Sequence, residues 1–506
     1  MKYLLTNAQM READKFTIEN LGVPSLELME RAGDALYQEA KKLAPKGRVL
    51  CVCGGGNNGG DGFVCGRKLL LDGRRVDAVF FAEKTSEECE INKSEFEMNG
   101  GTLFAEFPER KYSLVVDCLF GTGYRPSDDE RVRTAIERIN LLKRRGVKVL
   151  SADIPSGLSG DNGVCLDVAV QADETVCIGE IKLGAVLNDG IDCAGKLIRA
   201  DIGIALPSFD ENGNGYAYLL QDETVSSLLP KRKRNVHKGN CGRAYIVGGS
   251  YAYSGAGYLA AAGALKSGAG YVTLCVPEDL IPVYMLKLPE VLLKPVCKGK
   301  SFAFDERAFE FAKDGAVAYG MGLGVSQDVA NGAEYLVTHY TGRLIIDADG
   351  LNSLSAYAGE RLKELFAEKS CDVVLTPHPR EFARLLGTDV ADVLQNGVSL
   401  AKTFAKEHGV TVLLKGATTV ITDGVRVAVN AEGNAGQAKG GSGDVLSGVI
   451  AGLCASGLSA FDGAVCGAFL AGRSANLAKR EIGEYALTPS DVVAYMGRAF
   501  LTLETE

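Results

Sequence analysis

The chain alternates short apolar runs with longer stretches of helical periodicity. In its first half, apolar runs cover residues 48–53, 75–81, 114–117 and 147–152. Buried strands that alternate with helices are typical of a parallel sheet covered by helices on both faces. Two helices are predicted ahead of the first strand, over residues 8–20 and from Pro24 to about residue 43. The first half therefore predicts an α/β domain.

The same alternation starts again after a polar, glycine-rich stretch at residues 209–215. Polar segments of this kind commonly connect domains. In the second half we predict a small-residue helix over 255–268 and a hairpin over 419–428, which turns at Asp423-Gly424. The predicted strands cover residues 244–247, 316–319, 344–346, 373–375 and 410–414. The second half therefore predicts another α/β domain.

The length of 506 residues suits this division, because domains average roughly 150 residues. We predict an N-terminal domain over residues 1–212 and a C-terminal domain over residues 215–506. The 62 glycines cluster where apolar runs end, which places them in loops. Ligands of open α/β sheets bind where strands end and helices begin. We therefore expect the chemistry in these glycine-rich turns.

Charge and cysteine content argue against several classes of protein. A net charge of −9 argues against nucleic-acid binding. The one basic run, residues 231–234, is interpreted as a solvated linker or helix end. The 14 cysteines form no CxxC pair and the four histidines lie far apart, so a zinc site is unsupported. Unpatterned cysteines suit a reducing cytosol.

The terminal and apolar segments predict no membrane association. The N-terminus turns polar too soon for a signal peptide. The longest apolar helix candidate, residues 445–458, is shorter than the ~18 residues needed to span a bilayer. We predict a cytoplasmic protein without nucleic-acid or membrane partners, and a homo-oligomer is left open.

The first glycine-rich loop, residues 53–62, follows a predicted strand and opens a helix. Its glycines let backbone N–H groups approach a phosphate, whose charge the helix N-terminus favours. Gly54, Gly56 and Gly59 also fit G-x-G-x-x-G, which makes a dinucleotide-dependent dehydrogenase the competing interpretation. That fold needs an acid at the end of its second strand, and Asp77 fits poorly because the strand continues beyond it. A tight turn without a ligand is the other alternative.

Two aspartates end neighbouring predicted strands in the first domain. Asp117 precedes Phe120-Gly121-Thr122-Gly123, and Asp153 precedes Ile154-Pro155-Ser156-Gly157. Carboxylates at adjacent strand ends near a phosphate loop could hold a cation and move a proton. An aspartate at a strand end is also a common helix cap, so either residue alone is ambiguous.

Together these segments resemble the NAD(P)H-hydrate epimerase family. The resemblance runs from about residue 1 to 212 and rests on residues 57–62, 117, 121–123 and 153–157, with the opening segments 10–14 and 28–33.

The resemblance implies a Rossmann-like three-layer sandwich and a set of site residues. Asp153 would contact the damaged nicotinamide ring, and Asn58, Asp117 and Ser156 would coordinate a potassium ion. The residues implied to hold the dinucleotide are Asn57, Asn58, Gly59, Gly60, Asp61, Gly121, Thr122, Gly123, Tyr124, Arg125, Pro126 and Ser127.

The sharpest motif of the second domain is Gly440-Gly441-Ser442-Gly443-Asp444, which opens a predicted helix. Backbone amides of Gly441 to Gly443 would form an anion hole, and Asp444 could take a proton from a hydroxyl. We expect the helix dipole to keep this carboxylate ionised. A helix cap with nothing bound is the alternative for Asp444, and His378 could be a turn residue only.

The second domain resembles the ribokinase superfamily, and more closely its NAD(P)H-hydrate dehydratase branch. The resemblance spans about residues 215–500 and rests on His237-Lys238-Gly239, Gly248-Gly249-Ser250, Pro377-His378-Pro379-Arg380-Glu381, Lys415-Gly416-Ala417-Thr418-Thr419 and Gly441-Ser442-Gly443-Asp444. Met321 departs from the family, which usually has proline between these glycines.

This second resemblance implies a ribokinase-like three-layer sandwich and a nucleotide site. ADP or ATP would lie on Lys415, Gly416, Ala417, Thr418, Thr419 and Gly443. The hydrated dinucleotide would lie near Ala256, Gly322, His378 and Asp444. The fused arrangement is similar to the prokaryotic bifunctional enzymes, whose dehydratase prefers ADP.

The two resemblances imply one metabolite-repair enzyme that is both an isomerase and a lyase. Its substrates would be hydrated NADH and NADPH (NADHX and NADPHX). The first domain would interconvert their R and S epimers at C6, with Asp153 as acid or base. The second would phosphorylate the hydroxyl of the S epimer and eliminate phosphate, with Asp444 as base and Mg²⁺ stabilising the phosphoryl group. The alternatives are a small-molecule kinase fused to a dinucleotide-binding module, and a dinucleotide sensor without turnover.

Overall fold

The chain forms two compact units, Lys2–Asp210 and Glu211–Glu506. The structure is a computed structural model that describes residues 2–123, 130–165, 167–207, 215–309 and 315–504. Within the described residues, no helix combines the length and the apolar character needed to cross a membrane.

The N-terminal unit is built from short strands that alternate with helices. Its elements are β1 (Lys2–Leu5), α1 (Asn7–Glu19), α2 (Ser25–Leu43), β2 (Val49–Gly54), α3 (Asn57–Leu71), β3 (Val76–Phe81), α4 (Glu87–Met98), β4 (Thr102–Phe104), β5 (Leu114–Cys118), α5 (Glu130–Arg144), β6 (Lys148–Ala152), β7 (Glu174–Ile178), β8 (Ile181–Lys182), α6 (Gly190–Cys193) and β9 (Lys196–Ala200).

The N-terminal sheet has seven strands in the order β4-β3-β2-β5-β6-β7-β9, and all its pairings are parallel. Successive residues of β2 point to opposite faces, so Cys51 packs in a core with α2, α3 and α4 while Leu50 and Val52 pack with α5. The sheet is therefore covered by helices on both sides, which confirms the predicted three-layer sandwich. The short strands β1 and β8 pair in parallel with each other.

The C-terminal unit repeats this alternation over a longer chain. Its elements are β10 (Ala217–Leu219), α7 (Asp222–Leu228), β11 (Arg243–Val247), α8 (Ser254–Lys266), β12 (Tyr271–Pro277), α9 (Ile281–Lys287), β13 (Leu292–Cys297), β14 (Ala316–Tyr319), α10 (Gln327–His339), β15 (Arg343–Ile346), α11 (Asp349–Tyr357), α12 (Leu362–Ala367), β16 (Asp372–Leu375), α13 (Pro379–Leu386), α14 (Val390–His408), β17 (Thr411–Leu414), β18 (Thr419–Thr422), β19 (Val427–Asn430), α15 (Ser442–Ala455), α16 (Ala460–Ile482) and α17 (Pro489–Leu501).

The strands of this unit lie in the order β13-β12-β11-β14-β15-β16-β17-β18-β19-β10. Pairing is parallel from β13 to β17 and antiparallel through β18 and β19. The antiparallel part is the predicted hairpin, turning at Asp423 and Gly424. Alternate strand residues such as Ile246 and Ile345 pack against α8, α15 and α16 in the main core. The carboxyl ends of β11, β14, β15, β16 and β17 therefore meet at one edge of the sheet.

The four strands predicted in the first half correspond to β2, β3, β5 and β6, and each agrees with the structure within a residue or two. All four residues of the basic run 231–234 are exposed to solvent, as predicted. The predicted boundary between residues 212 and 215 lies at the edge of the described residues and stays a prediction.

Candidate active sites

The first site lies where the N-terminal sheet meets the start of α3. A cavity of about 440 Å³ opens there, which is within the usual size range of ligand pockets, ~300–1,000 Å³. Its lining includes the loop after β2, the Phe120-Gly121 turn after β5, and Asp153 after β6. The predicted residues Asn57, Asn58, Asp61, Gly121, Thr122, Gly123 and Asp153 all line it. Tyr124, Arg125, Pro126 and Ser127 lie outside the described residues.

The glycines of the first loop lie in two different structural environments. A Cβ on Gly59 would lie 1.8 Å from the carbonyl oxygen of Gly54, so the turn closes only without a side chain. A Cβ on Gly56 would meet nothing within 4 Å. Helix α3 begins at Asn57 with Gly56 as its cap, so its first amides lack helical partners. Part of this glycine content is explained by packing, and part leaves open space at a helix N-terminus.

Asp117 is held rigidly by its own neighbours. Its carboxylate accepts hydrogen bonds from the Ser151 hydroxyl at 2.8 Å, from the Ser156 hydroxyl at 2.6 Å and from the Ser156 amide at 3.0 Å. The Ser156 hydroxyl oxygen also accepts from the Phe120 amide at 3.0 Å. Asp117 therefore joins the ends of β5 and β6.

The residues implied to bind potassium offer oxygen donors of the kind that hard cations prefer. Asn58 is 9% exposed, and both polar atoms of its amide lack a partner among the described residues. A buried unpaired amide is costly unless a ligand completes it. The same Phe120-Gly121 turn contacts Ser156 and approaches Asn58. Asn58, Asp117 and Ser156 therefore offer oxygen ligands suited to a hard cation.

Asp153 occupies an unusual backbone position next to a buried cation. Its φ is 68°, a region that side chains other than glycine rarely adopt and that is often found at functional sites. The Lys182 ammonium forms an ion pair with Asp153 and is 1% exposed. It also donates to the carbonyl oxygens of Ile178 and Glu180. Asp153 and Lys182 therefore form a buried ion pair at the wall of the cavity.

Two further carboxyl groups share the cavity. Burial raises the pKa of Asp14 to about 6, with Lys182 lowering it and Asp153 raising it. Burial also raises the pKa of Asp61 well above its ordinary value, and the charges of Asp153 and Asp14 add to this effect. Perturbed titratable groups that line one cavity mark it as a candidate active site.

The second site lies at the carboxyl edge of the C-terminal sheet. Its centre is Lys415, which follows β17 and forms an ion pair with Asp347 at 2.7 Å. Glu381 at the start of α13 lies 3.9 Å from the same ammonium. The Ser447 hydroxyl of α15 donates to Asp347 at 2.7 Å.

The charges of this pair shift each other's titration. Burial raises the pKa of Asp347. The charge of Lys415 and the hydrogen bonds that Asp347 accepts lower this pKa by more, so it lies below its ordinary value. Burial lowers the pKa of Lys415, but Asp347 and Glu381 raise it above its ordinary value. Both groups therefore stay charged at neutral pH.

Asp444 is the third residue of α15, and its helix is capped by Gly441 in a left-handed conformation, φ 101°. The alternative that Asp444 is the helix cap is therefore wrong. Burial raises its pKa to about 6, with a further rise from Asp347 and a decrease from Lys415. The prediction from the helix dipole therefore leaves out the effect of burial, which favours the protonated form of Asp444. A Cβ on Gly443 would lie 3.3 Å from the Lys415 ammonium, so Lys415, Gly443 and Asp444 share one site.

His378 caps a helix in this structure. Its Nδ1 accepts hydrogen bonds from the amides of Arg380 and Glu381, and the His378 amide donates to the Glu381 carboxylate at 2.8 Å. The other ring nitrogen lies 3.5 Å from Glu381 on a side chain that is 46% exposed. His378 is therefore a helix cap whose exposed ring edge stays available to a ligand, and its contact with substrate stays a prediction.

The glycine turn after β14 lies at the same edge of the C-terminal sheet. Gly322 has a φ of 66°, and a Cβ there would lie 2.8 Å from the side chain of Ala256. Met321 is buried and its carbonyl accepts a hydrogen bond from the Gly249 amide at 2.7 Å. The Gly324 amide donates to Asp349 at 2.8 Å. This turn therefore keeps its close packing with methionine between the glycines.

Known families match both units of the chain. A family model described as NAD(P)H-hydrate dehydratase matches residues 244–498, and one described as YjeF-related protein N-terminus matches residues 25–184. A bifunctional NAD(P)H-hydrate repair enzyme from Moorella thermoacetica is 34% identical to this chain. The alignment covers 100% of this chain and 98% of that relative. The enzyme of the same description from Escherichia coli is 30% identical, covering 97% of this chain and 92% of that relative.

The chain belongs to the family of bifunctional NAD(P)H-hydrate repair enzymes.

A solved structure agrees with this membership for the C-terminal unit. The ADP/ATP-dependent NAD(P)H-hydrate dehydratase from Bacillus subtilis, co-crystallised with ATP and Mg²⁺, is 29% identical with a TM-score of 0.50. The superposition covers 56% of this chain and 98% of the Bacillus subtilis chain. The ribokinase-like fold predicted for the second half of this repair enzyme is therefore confirmed.

Sequence reasoning assigned no role to several charged residues in the two sites of this repair enzyme, although Asp14 and Glu381 lie in motif segments that it used. In the first site they are Asp14 and Lys182, and in the second Asp347, Asp349 and Glu381. Asp347 directly follows β15, so the strand-end rule that found Asp153 would have found it too. Asp77 lies near the amino end of β3 and binds Arg48, Arg110 and Tyr112. It is therefore a structural residue, as its poor fit to the dehydrogenase pattern indicated.

Proposed function

We propose that the N-terminal unit interconverts the R and S epimers of hydrated NADH and NADPH, and that the C-terminal unit dehydrates the S epimer at the expense of ADP or ATP. The observation that carries this proposal is a pair of separate strand-end sites within a chain of this family. Each site combines a glycine-opened helix N-terminus with an ion pair between a lysine and a buried aspartate. Such a helix start suits the phosphates of a dinucleotide or nucleotide.

Epimerisation needs reversible loss of the hydroxyl on C6, the carbon next to N1 of the nicotinamide ring. A carboxyl group can protonate the departing oxygen, and a carboxylate can stabilise the cationic ring that remains. The strand-end position of Asp153 and its ion pair with Lys182 support this role. Asn57 to Asp61 and the turn from Gly121 onward would hold the dinucleotide, and Asn58, Asp117 and Ser156 would hold K⁺.

Dehydration needs a better leaving group than hydroxide. Asp444 would take the proton of the C6 hydroxyl while the oxygen attacks the terminal phosphoryl group of the nucleotide. The amides of Gly441 to Gly443 would stabilise the transferring phosphoryl group, and Lys415 to Thr419 with Gly443 would hold the nucleotide. Elimination of phosphate then restores the dihydronicotinamide.

Mg²⁺ would neutralise the nucleotide phosphates when bound, as the ATP and Mg²⁺ in the Bacillus subtilis dehydratase crystals suggest. This ion usually binds one or two carboxylates together with phosphate oxygens. Among the described residues, Asp349 is the carboxylate of this site that is neither paired with Lys415 nor assigned to proton transfer. It is the proposed protein ligand.

The remaining substrate contacts would lie near Ala256, Gly322 and His378. The contact between Gly322 and Ala256 and the exposed ring edge of His378 support this placement. All 14 cysteines are free thiols, which supports a reducing, cytoplasmic location.

The test is to incubate the full chain with mixed epimers of NADPHX, with ADP, with ATP, or with no nucleotide. We expect equilibration of the epimers without nucleotide, and complete conversion to NADPH only when nucleotide is added. If the fraction converted to NADPH equals the fraction of S epimer in the starting mixture, the N-terminal unit does not epimerise. A stable phosphorylated product would indicate a small-molecule kinase, and tight NADPH binding without turnover would indicate a sensor.

A further inference from the structure

The N-terminal cavity contains three carboxyl groups, those of Asp14, Asp61 and Asp153. Two cations face them. The buried ammonium of Lys182 pairs with Asp153, and the guanidinium of Arg11 lies at an exposed position, donating to the Thr122 carbonyl at 3.3 Å. The unpartnered amide of the buried Asn58 also lines this cavity, which marks it as a place where a ligand completes the polar contacts.

The carboxyl groups differ in their partners. Asp153 has the ammonium of Lys182, whereas Asp14 and Asp61 form no hydrogen bond or ion pair with the part of the chain that the structure describes. Three ionised carboxylates around one buried ammonium would repel one another. The unpartnered neighbours, Asp14 and Asp61, are therefore the carboxyl groups that burial and repulsion favour in the protonated form.

We propose that Asp14 is the general acid of epimerisation and that Asp153, paired with Lys182, is the base and the electrostatic partner of the cationic ring. This proposal rests on the proposed epimerase function and assigns separate roles within it. Asp14 fits the acid role better than Asp61 because it is only half-buried on α1 at the cavity wall. Asp61 is 6% exposed inside the first turns of α3, where exchange of a proton with water is hindered.

The proposed step balances without any oxidant or reductant. Asp14 gives its proton to the C6 oxygen, the C6–O bond breaks and water leaves with that electron pair. The lone pair of N1 forms a double bond to C6, which leaves a cationic ring beside the Asp153 carboxylate. Water then adds to the other face of C6 and loses a proton to Asp153. Transfer of that proton through water back to Asp14 restores both groups.

The titration of Asp14 supports this assignment. Burial raises its pKa to about 6, while Lys182 lowers it and Asp153 raises it. A general acid is most effective when its pKa lies near the working pH. An ordinary aspartate would be almost fully ionised there, so the cavity keeps a proton available on Asp14.

The experiment measures epimerisation by the full chain from acid to alkaline pH. The wild-type rate is expected to fall above about pH 6, as Asp14 loses its proton. Asp14→Asn is expected to lower the rate at least ~10²-fold and to abolish this fall, because general acid–base catalysis typically contributes ~10²–10⁴-fold. Asp14→Glu is expected to keep part of the activity and a fall at a shifted pH.

Glu12→Gln is the matched control, since Glu12 is an exposed carboxylate of the same helix that does not line the cavity. It should leave the rate and its pH dependence unchanged. Nucleotide-dependent dehydration of the S epimer and the thermal melting curve report whether each variant is intact.

Three results would distinguish failure of this assignment from failure of the function. If Asp14→Asn epimerises within a few-fold of wild type, or keeps the alkaline fall, Asp14 is not the acid. If Asp61→Asn abolishes the fall and Asp14→Asn does not, the acid is Asp61 and the assignment is overturned. If the wild-type chain itself does not epimerise, the proposed function fails.

Discussion

The two sites contain the same kinds of charged group, but the aspartate identified by the sequence motif has a different partner in each. Each has a lysine paired with a buried aspartate that follows a strand, Lys182 with Asp153 and Lys415 with Asp347. Each also has an aspartate whose pKa burial raises to about 6, namely Asp14 in the first site and Asp444 in the second.

The difference lies in which aspartate the lysine holds. In the first site the lysine pairs with the residue that the sequence motif identified, and the titrating group comes from helix α1. In the second site the motif identified the titrating group, and the lysine pairs with an aspartate that follows β15. A glycine motif therefore locates a site, but it does not tell which carboxylate is charged. Burial and the position of the lysine decide that.

The largest effect is expected from Asp153→Asn, which removes the charged partner of Lys182. Epimerisation should fall ~10²–10⁴-fold, as for loss of a general acid–base group. Dehydration of the S epimer should stay near the wild-type rate. Asp192→Asn, at an exposed position of α6, is the control. A variant that still epimerises within a few-fold of wild type removes Asp153 from the chemistry and ends the analogy between the sites.

A large loss of stability is expected when the second lysine is removed. Lys415→Met leaves Asp347, which is 1% exposed, without its counter-charge, and such changes cost ~3–5 kcal/mol. Denaturant unfolding of the C-terminal unit measures this.

Lys182→Met should cost less, because Asp153 faces an open cavity where water can replace the lysine. Lys363→Met, at an exposed position of α12, should change the free energy of unfolding by less than ~0.5 kcal/mol. Equal losses of unfolding free energy in the two variants would show that the two ion pairs contribute equally to stability.

Asp444→Asn is expected to lower dehydration at least ~10²-fold through loss of a general base, with epimerisation unchanged. ADP affinity should survive, because Lys415 to Thr419 and the glycine amides are untouched. Asp372→Asn, at the start of β16 and so at the opposite edge of the sheet, is the control. If ADP affinity collapses as well, Asp444 holds the nucleotide or its metal rather than the proton.

A smaller effect is expected from pH. A base must be deprotonated, and burial raises the pKa of Asp444 to about 6. The dehydration rate at saturating substrate should therefore rise about tenfold per pH unit below this value and level off above it. Epimerisation is expected to change in the opposite direction. A dehydration rate that is constant through pH 6 would show that another group accepts the proton.

The smallest effect is expected from separating the units. A protein of residues 1–212 should epimerise without nucleotide at a rate within a few-fold of the full chain, because the described lining of its cavity comes from residues 10 to 204. Epimerisation is measured on the folded fragment beside the intact chain. A folded but inactive fragment would show that the first site depends on the second half of the chain.

The fold was predictable where the sequence carried long apolar runs. Strands β2, β5 and β6 are fully or almost fully buried, so their composition distinguishes them from helices. Strands such as β1 and β8 have four and two residues, which is too short for any periodic pattern. Their place depends on pairing with a distant segment, so the pattern gave no indication of them.

The sequence by itself determined the family, the two α/β units and the residues at the glycine-opened helices, because these depend on local composition and on motif spacing. Only the tertiary structure decided which charges meet. Lys182 ends a two-residue strand and Asp14 lies on the first long helix, and neither position carries a local signal of its role. The distance between such side chains and their removal from water are set by the packing of segments far apart in the chain. Those two quantities determine which carboxyl group keeps a proton.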